Sequence, residues 1–343
     1  MPDTATPRLG RRLPRALRGR DSVIVSALLL VAVVACVAVP NFFSDLTVNF
    51  LLIDAVPVLL MAMPLAFIII TGEIDLSIAS IAGLSAATMG VLWANLHLPV
   101  PLIVLLCALV GVACGALNGF LITVVGLPSL AVTIGTLALF RGLALVVIGD
   151  RAVADFPPDL TAFATSTVPG TQFPLFMLLA LVVVTVFGIV LHLTPYGRGL
   201  FALGYSTEAA GFVGIRVGRA KFGLYVVSGL VCSLVGTFWV LRYSTAQSDS
   251  VEGLELTVVA AVLLGGVSIF GGSGGIVGVV AGVLLIRTVT YALQLAGLPD
   301  TALTIVTGGL LVVSVVAPTV SARISAALAR RRGRRPDVGV ATA

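Results

Sequence analysis

Long apolar runs constrain this chain more than any other feature of its sequence. Ten segments are mostly apolar over about 20 residues, enough for a membrane span or a half-helix buried in protein. They lie near 23–40, 47–70, 76–94, 100–124, 130–148, 173–192, 222–242, 255–270, 275–293 and 301–317. Of the 343 residues, 59% are hydrophobic and 10% charged, whereas roughly 25% of a soluble domain is charged. The sequence predicts an all-α, polytopic membrane protein with about ten transmembrane helices.

Basic residues are concentrated at the two ends of the chain and in one central loop. Six arginines precede the first apolar segment, six more follow the last one, and the loop 193–221 carries Arg198, Arg216, Arg219 and Lys221. Lys and Arg in short loops are retained on the cytoplasmic side, so both termini are expected to be cytoplasmic and the number of spans even. Ten spans then place the acidic loops 149–172 and 243–254 outside and the loop 193–221 inside.

The chain divides into three parts on this basis. Residues 1–22 form a basic cytoplasmic N-terminal tail, residues 23–318 the transmembrane domain, and residues 319–343 a basic cytoplasmic C-terminal tail. Glycine-containing breaks between apolar runs occur at 71–73 and 271–275. Paired breaks in two halves of a membrane protein are typical of an internal repeat around a central pathway.

Several kinds of chemistry are not expected in this chain. Lys221 is the only lysine, and no glycine-rich phosphate-binding loop precedes it, so the chain itself is not expected to bind ATP in that manner. His97 and His192 are far apart and lack Cys or His neighbours, which argues against a metal site or a histidine-based catalytic centre. Basic tails also occur in nucleic-acid-binding proteins, but the spans make the lipid bilayer the expected partner. The sequence predicts no enzyme, no cofactor or metal on this chain, and no bound nucleic acid.

Polar side chains in or beside the apolar segments are candidates for a solute pathway. These are Asp54, Glu73, Asp75, Ser77, Asn118 and Arg141. Helix-to-helix hydrogen bonds explain Asp54 and Asn118 equally well, and snorkelling to an interface explains Arg141. Asp75 fits better as the N-cap of the third span, where its carboxylate would accept from free backbone N–H groups.

A short motif lies in the loop predicted to be cytoplasmic: Glu208-Ala209-Ala210, then three residues, then Gly214. Ala and Glu favour a short helix and Gly permits a backbone reversal. The segment therefore predicts a compact protrusion to which a soluble partner can bind. Taken alone, the motif is equally compatible with an amphipathic connector.

This pattern resembles the EAA motif of ABC importer permeases, which docks on the ATPase subunit. Further motifs resemble the ribose-type sugar permeases of that superfamily, most closely the branch with rhamnose and autoinducer-2 permeases. These are Ile74-Asp75-Leu76-Ser77, Gly135-Thr136-Leu137, Thr194-Pro195-Tyr196-Gly197-Arg198, Ala260 to Gly266, and Gly271-Gly272-Ser273-Gly274. The resemblance covers about residues 45–318. It departs from the family at Gly72-Glu73, where two glycines are usual, and at Ser206-Thr207, where Asn is common.

The resemblance implies a permease subunit in the bacterial inner membrane that imports a sugar or sugar-like solute. Its expected partners are a separate ATPase subunit that binds ATP, a periplasmic or tethered solute-binding protein, and a second permease copy or homologue. Glu73 would then pair with a basic residue or face the ATPase. The alternative is an ion-coupled secondary transporter that acts without an ATPase, with Asp54 and Glu73 as coupling residues. That alternative leaves the motif at Glu208 unexplained.

Overall fold

The regular structure of the chain is helical. The computed structural model describes residues 20–299, 301–313 and 316. Over these residues β pairing is limited to two isolated bridges, Val153 with Ala246 and Thr167 with Pro174. The helices are α1 (Arg20–Ala38), α2 (Asp45–Ile70), α3 (Ile78–Leu96), α4 (Val100–Thr123), α5 (Ser129–Ile148), α6 (Pro158–Ala164), α7 (Leu175–Leu193), α8 (Pro195–Tyr205), α9 (Thr207–Phe212), α10 (Val217–Tyr243), α11 (Leu254–Leu264), α12 (Ile276–Leu295) and α13 (Thr301–Val313). The all-α prediction is confirmed.

Each predicted apolar segment corresponds to one helix. In the described part of the chain seven helices are long and apolar enough to cross a membrane, namely α2, α3, α4, α5, α7, α10 and α12. The shorter apolar helices α1, α11 and α13 correspond to the other three segments. The count of ten crossings and the cytoplasmic placement of both termini stay predictions. Residues 1–19 and the C-terminal tail lie outside the described residues.

Helix α2 forms the centre of the bundle. From Ala55 to Ile70 it is apolar on all sides and buried, as expected of a helix segment with no polar face. Helices α7, α10, α11 and α12 pack around it. Pro57 and Pro64 lie inside α2, which membrane helices tolerate when neighbouring helices compensate for the lost hydrogen bonds. The central helix α2 therefore holds these four helices together.

Glycines set the contact between α4 and α10. A Cβ at Gly229 of α10 would overlap the carbonyl oxygen of Gly111 in α4, and one at Gly115 would overlap that of Tyr225. Since lipid provides no hydrophobic driving force between helices, close backbone approach at small residues is a main source of packing energy. The pair α4 and α10 is thus packed backbone to backbone.

Helix α11 is shorter than the segment predicted at 255–270. It ends at Leu264, and the chain is non-helical from Gly265 to Gly275. Gly266, Gly271 and Gly272 there have positive φ angles of 87°, 81° and 74°, a region that L-residues with a Cβ rarely adopt. At 1.5 Å per residue, the 11 residues of α11 reach about half of a hydrocarbon core of roughly 30 Å. The prediction of a continuous span to residue 270 was wrong because the glycine run ends the helix.

The segment 244–253, part of the loop 243–254 predicted to be external, packs along α3, and its side of the membrane stays a prediction. Ala246 lies against Gly90 of α3, with its Cβ 2.9 Å from the position a Cβ would take at Gly90. The carbonyl oxygen of Ser250 lies equally close, at 2.9 Å, to the corresponding position at Gly83. Seven residues of helix rise about 10 Å, so the segment descends that far along α3 before α11 begins.

Replacing Gly229 by Ala should destabilise the protein because the added methyl group overlaps the backbone of Gly111. We expect a loss of about 1–3 kcal/mol, measured as a lower midpoint of thermal unfolding in detergent. Gly223→Ala is the matched control in α10, since a Cβ there meets no atom within 4 Å. It should be neutral or stabilise by roughly 0.5–1 kcal/mol. Equal midpoints for the two variants would contradict the packing.

Candidate functional site

The motif at Glu208 forms a short helix that is capped at both ends. Ser206 ends α8 and begins α9, and its Oγ accepts a hydrogen bond of 3.2 Å from the Ala209 N–H. Gly214 has a φ of 86°, and the Ile215 N–H then donates to the Ala210 carbonyl at 3.1 Å. The predicted helix and glycine turn are both present. Serine at 206 replaces the common Asn with another good N-cap residue.

The two faces of α9 have different environments. Glu208 and Ala209 are exposed, whereas Ala210 is 2% exposed and packs inward. Three large apolar side chains flank Glu208 on the surface: Tyr205 is 76% exposed, Phe212 93% and Val213 76%. Exposed apolar groups beside a charged residue are typical of a protein interaction site. We call Tyr205, Glu208, Phe212 and Val213 the α9 surface.

The α9 surface is joined to the bundle through a contact of three backbones. A Cβ on Gly204 of α8 would overlap both the Ile70 carbonyl oxygen at the end of α2 and the Gly272 nitrogen. The Gly272 N–H itself donates to the Ile70 carbonyl at 2.9 Å. A Cβ on Gly271 would lie 2.9 Å from the Gly72 nitrogen. The two predicted helix breaks therefore meet, and α8 lies directly on them; we call this contact the glycine junction.

Asp75 is the centre of a buried polar network and is not the N-cap of α3. The residue at the N-cap position is Ser77. Asp75 Oδ1 accepts from the Ser77 N–H at 3.0 Å and from Ser77 Oγ at 2.6 Å, and Oδ2 accepts from Ser228 Oγ at 3.2 Å. Asn118 Nδ2 donates to Ser77 Oγ at 2.8 Å. The predicted residues Asp75, Ser77 and Asn118 thus come together and connect α3, α4 and α10.

Burial and hydrogen bonding act in opposite directions on Asp75. Removal from water raises the pKa of its carboxyl, and the hydrogen bonds from Ser77 and Ser228 lower that pKa in part. Asn118 Oδ1 is buried without a hydrogen-bond partner among the described residues. A network so enclosed holds helices together, as buried polar groups between membrane helices do.

Glu73 pairs with Lys221, one of the outcomes expected for it. The Lys221 ammonium donates to Glu73 Oε1, with 13% and 17% of the two side chains exposed. The adjacent Ile74 is fixed by its own contacts, because its N–H donates to Ser129 Oγ at 3.2 Å and its carbonyl accepts from Thr133 at 3.3 Å. The segment between α2 and α3 is therefore tied to α5 and α10.

Asp54 lies in a separate cluster, toward the opposite ends of the helices from Glu73 and Asp75. Arg242 of α10 approaches Asp54 Oδ1 at 3.5 Å, Tyr243 donates to the same oxygen at 3.3 Å, and Tyr291 of α12 donates to Oδ2. The Arg242 guanidinium also lies 5.5 Å from the centre of the Phe50 ring. Asp54 thus connects α2, α10 and α12.

Arg141 joins a third cluster, with two glutamates that the sequence did not single out as site residues. It lies 3.1 Å from Glu252 and 3.2 Å from Glu255. Glu255 is in the first turn of α11, where a carboxylate is favoured by the helix dipole. Arg141 therefore faces protein groups and does not need to reach an interface to avoid lipid.

The six pathway candidates thus do not form one site. They divide among the Asp75 network, the Glu73 pair, the Asp54 cluster and the Arg141 cluster. Their partners are far apart in sequence: Lys221 is 148 residues from Glu73, and Glu255 is 114 residues from Arg141. No spacing pattern could have indicated these pairs. The sequence indicated only that each of these charged residues lies in or beside an apolar segment and therefore needs a partner.

Breaking the pair of Glu73 and Lys221 should lower stability because a partly buried charge is left without a partner. We expect Glu73→Gln or Lys221→Gln to cost about 3 kcal/mol, measured by thermal unfolding in detergent at low salt. The double variant Glu73→Lys with Lys221→Glu should recover part of that loss.

Arg219→Gln is the matched control, since Arg219 is a cation near the start of the same helix but is exposed. We expect its effect to stay within about 0.5 kcal/mol. The pair would be irrelevant to stability if both single Gln variants unfolded at the temperature of the unaltered protein.

Comparisons with known proteins agree with this architecture. The family described as "Branched-chain amino acid transport system / permease component" matches residues 47–315. The autoinducer 2 import system permease protein LsrD of Escherichia coli (strain K12) is 36% identical over 306 residues, which is 87% of this chain and 91% of that protein. The protein of the same name from Shigella flexneri is similar to the same extent, with 36% identity over 306 residues. No solved structure matches the chain.

The family match covers most of the chain and includes the α9 surface, the glycine junction and the three ion-paired clusters. The resemblance to permeases of ABC importers that was noted from the sequence motifs is thereby confirmed. This chain belongs to the family of permease components of ABC-type transport systems.

Proposed function

We propose that this chain is the membrane-spanning subunit of an ABC importer for a sugar or sugar-like solute in a bacterial inner membrane. The observation that carries the proposal is the α9 surface resting on the glycine junction. The short exposed helix α9 directly follows α8, and Gly204 of α8 is in backbone contact with the end of α2 and with the break that ends α11. Autoinducer-2, named for the similar proteins, and rhamnose are the candidate solutes.

The partner proposed for the α9 surface is a separate ATPase subunit. Phe212 and Val213 are too exposed to contribute to the bundle's own packing, and their burial would give a partner apolar contact area. Glu208 adds a charge that fixes orientation. The charge pattern predicts this loop to be cytoplasmic, where ATP is present. The chain supplies no phosphate-binding loop, and its single lysine is held by Glu73.

The glycine junction gives such a partner a way to act on the membrane helices. A displacement of α8 presses directly on the Ile70 carbonyl and on Gly272. Ile70 ends the central helix, and Gly272 lies in the segment between α11 and α12. ATP binding on the partner would thus bias the helices between two arrangements, provided that the partner binds one of them better.

Two further partners complete the proposed importer. A second copy of this chain, or a homologous permease, would enclose the pathway. A periplasmic or tethered binding protein would deliver the solute to the outer face and supply most of the selectivity. No cofactor is proposed for this chain, since ATP would bind the partner subunit.

Ion pairing argues against the ion-coupled alternative. Its coupling candidates, Asp54 and Glu73, are each held by a cation of the protein, Arg242 and Lys221 respectively. A carboxylate that releases and binds a transported ion has to lose such a partner in each cycle. The α9 surface also has no role in a transporter that acts alone.

Glu208→Lys should abolish ATP-dependent uptake by the reconstituted importer while leaving membrane insertion unchanged. The lysine reverses the charge in the middle of the α9 surface, where Glu208 is exposed and stabilises no buried group. Uptake of labelled autoinducer-2 into proteoliposomes that contain the permease, its ATPase and its binding protein is the measurement.

Asp159→Lys is the matched control for this variant. Asp159 is also an exposed acidic residue in the first turn of a short helix, α6, but it lies in the loop predicted to be external. Uptake should be unchanged in that variant. Solute uptake by proteoliposomes lacking any ATPase would refute the proposed function.

Gly204→Ala should lower uptake strongly, by about tenfold or more, because its methyl group separates α8 from the Ile70 carbonyl. Stimulation of ATP hydrolysis by the solute-loaded binding protein should fall with it, while the complex with the ATPase still forms. In the control Gly199→Ala, the added Cβ meets only Ile215, at an ordinary 3.7 Å, and uptake should be retained. Unaltered coupling in Gly204→Ala would show that motion is not transmitted through the glycine junction.

A further inference from the structure

The Arg141 cluster lies well inside the apolar length of the helices. Arg141 is seven residues before the end of α5 at Ile148, which places it about 10 Å below that end. Its partners Glu252 and Glu255 follow Ser250, whose carbonyl lies against Gly83 of α3. Gly83 is itself 13 residues before the end of α3, or about 20 Å along its axis.

The Arg141 cluster is polar and partly exposed, although it lies inside the apolar length of the helices. Of the three charged side chains, Glu252 is 52% exposed, Arg141 32% and Glu255 10%. Gln247 and Asp249 on the descending segment are also exposed. Charged groups at this depth are costly against lipid. Irregular backbone is tolerated there only when it is covered by protein or lines a water-filled cavity. The face formed by α5, the segment 244–253 and the first turn of α11 therefore does not contact lipid.

The chemistry of the face indicates what it contacts. One guanidinium faces two carboxylates, so the cluster carries net negative charge. Glu255 Oε2 is buried and has no hydrogen-bond partner among the described residues. An acceptor of this kind is favourable only if a donor reaches it. A small cavity beside the cluster is lined by Arg141, Glu252, Ser80, Ser248 and Ser250.

We infer that this face is a solute-contacting wall of the translocation pathway and that it accepts hydroxyl donors from an uncharged, hydroxyl-rich solute. The carboxylates of Glu252 and Glu255 accept from solute hydroxyls, and the Ser248 hydroxyl adds one donor and one acceptor. Arg141 holds the two glutamates in place. The negative charge disfavours anionic solutes such as sugar phosphates. The identity of the solute in this inference rests on the proposed function. The location of the aqueous wall does not rest on it.

Accessibility to charged thiol reagents tests the wall directly. Ser248→Cys places a thiol in the cavity and leaves all three charged residues intact. It is made in a Cys36→Ser background, because Cys36 is the exposed member of the four cysteines, all of which are described. Labelling is measured with cationic and anionic membrane-impermeant methanethiosulfonates in right-side-out and inside-out vesicles. No ATPase or solute is needed.

Two control positions calibrate the labelling. Asp159→Cys lies in the predicted external loop and should react with both reagents. Leu139→Cys is on α5, 47% exposed, and two residues from Arg141, which places it on nearly the opposite side of the helix. Its similar exposure faces lipid under this proposal, so it should not react.

We expect Ser248→Cys to react from at least one side of the membrane, with the cationic reagent faster than the anionic one by about tenfold relative to Asp159→Cys. Adding Glu252→Gln should reduce that preference, because it removes one negative charge. Absence of labelling in both vesicle orientations would overturn the aqueous wall, and equal rates for the two reagents would overturn its selectivity. Neither result depends on ATP-dependent uptake. This inference can therefore fail while the proposed function holds.

Discussion

Apolar surroundings require that every buried backbone group finds a partner, and they leave close contact and polar bonds between helices to hold the helices together. This chain meets both requirements with glycine. Gly229 brings α4 and α10 into backbone contact. At the glycine junction, the hydrogen bond from Gly272 to Ile70 satisfies the end of the central helix while Gly204 allows α8 to approach it. The same small residue therefore serves both the packing of the spans and their attachment to the α9 surface.

Charged residues within the bundle form directional contacts between helices, which close packing of glycine and apolar side chains does not provide. Glu73 with Lys221, Asp54 with Arg242, and Arg141 with two glutamates each join helices that are distant in sequence. Two of these groups are largely enclosed, whereas the third is open on one side. That difference in exposure, and not the presence of charge, separates the pairs that stabilise the bundle from the cluster assigned to the pathway.

Sequence patterns predicted those features that depend on neighbouring residues. Apolar runs located all ten apolar helices of the described residues, and the motif at Glu208 predicted a short helix with a glycine turn. Features that depend on depth or on distant contacts were missed. Residues 244–253 are polar, and polarity alone does not indicate that the segment packs along α3. The carboxylate of Asp75 accepts from the Ser77 backbone N–H, as predicted, but Ser77 occupies the N-cap position, and the hydroxyl bonds from Ser77 and Ser228 were not predicted.

The contact at the glycine junction joins backbone to backbone, because Gly204 places no Cβ between α8 and the Ile70 carbonyl or the Gly272 nitrogen. The ring of Tyr205, the last residue of α8, also lies against Gly272. Side chains between packed helices can change rotamer and so absorb small shifts. Because the contact at Gly204 contains no such side chain, we expect a shift of α8 to reach the central helix and the α11 break with little loss.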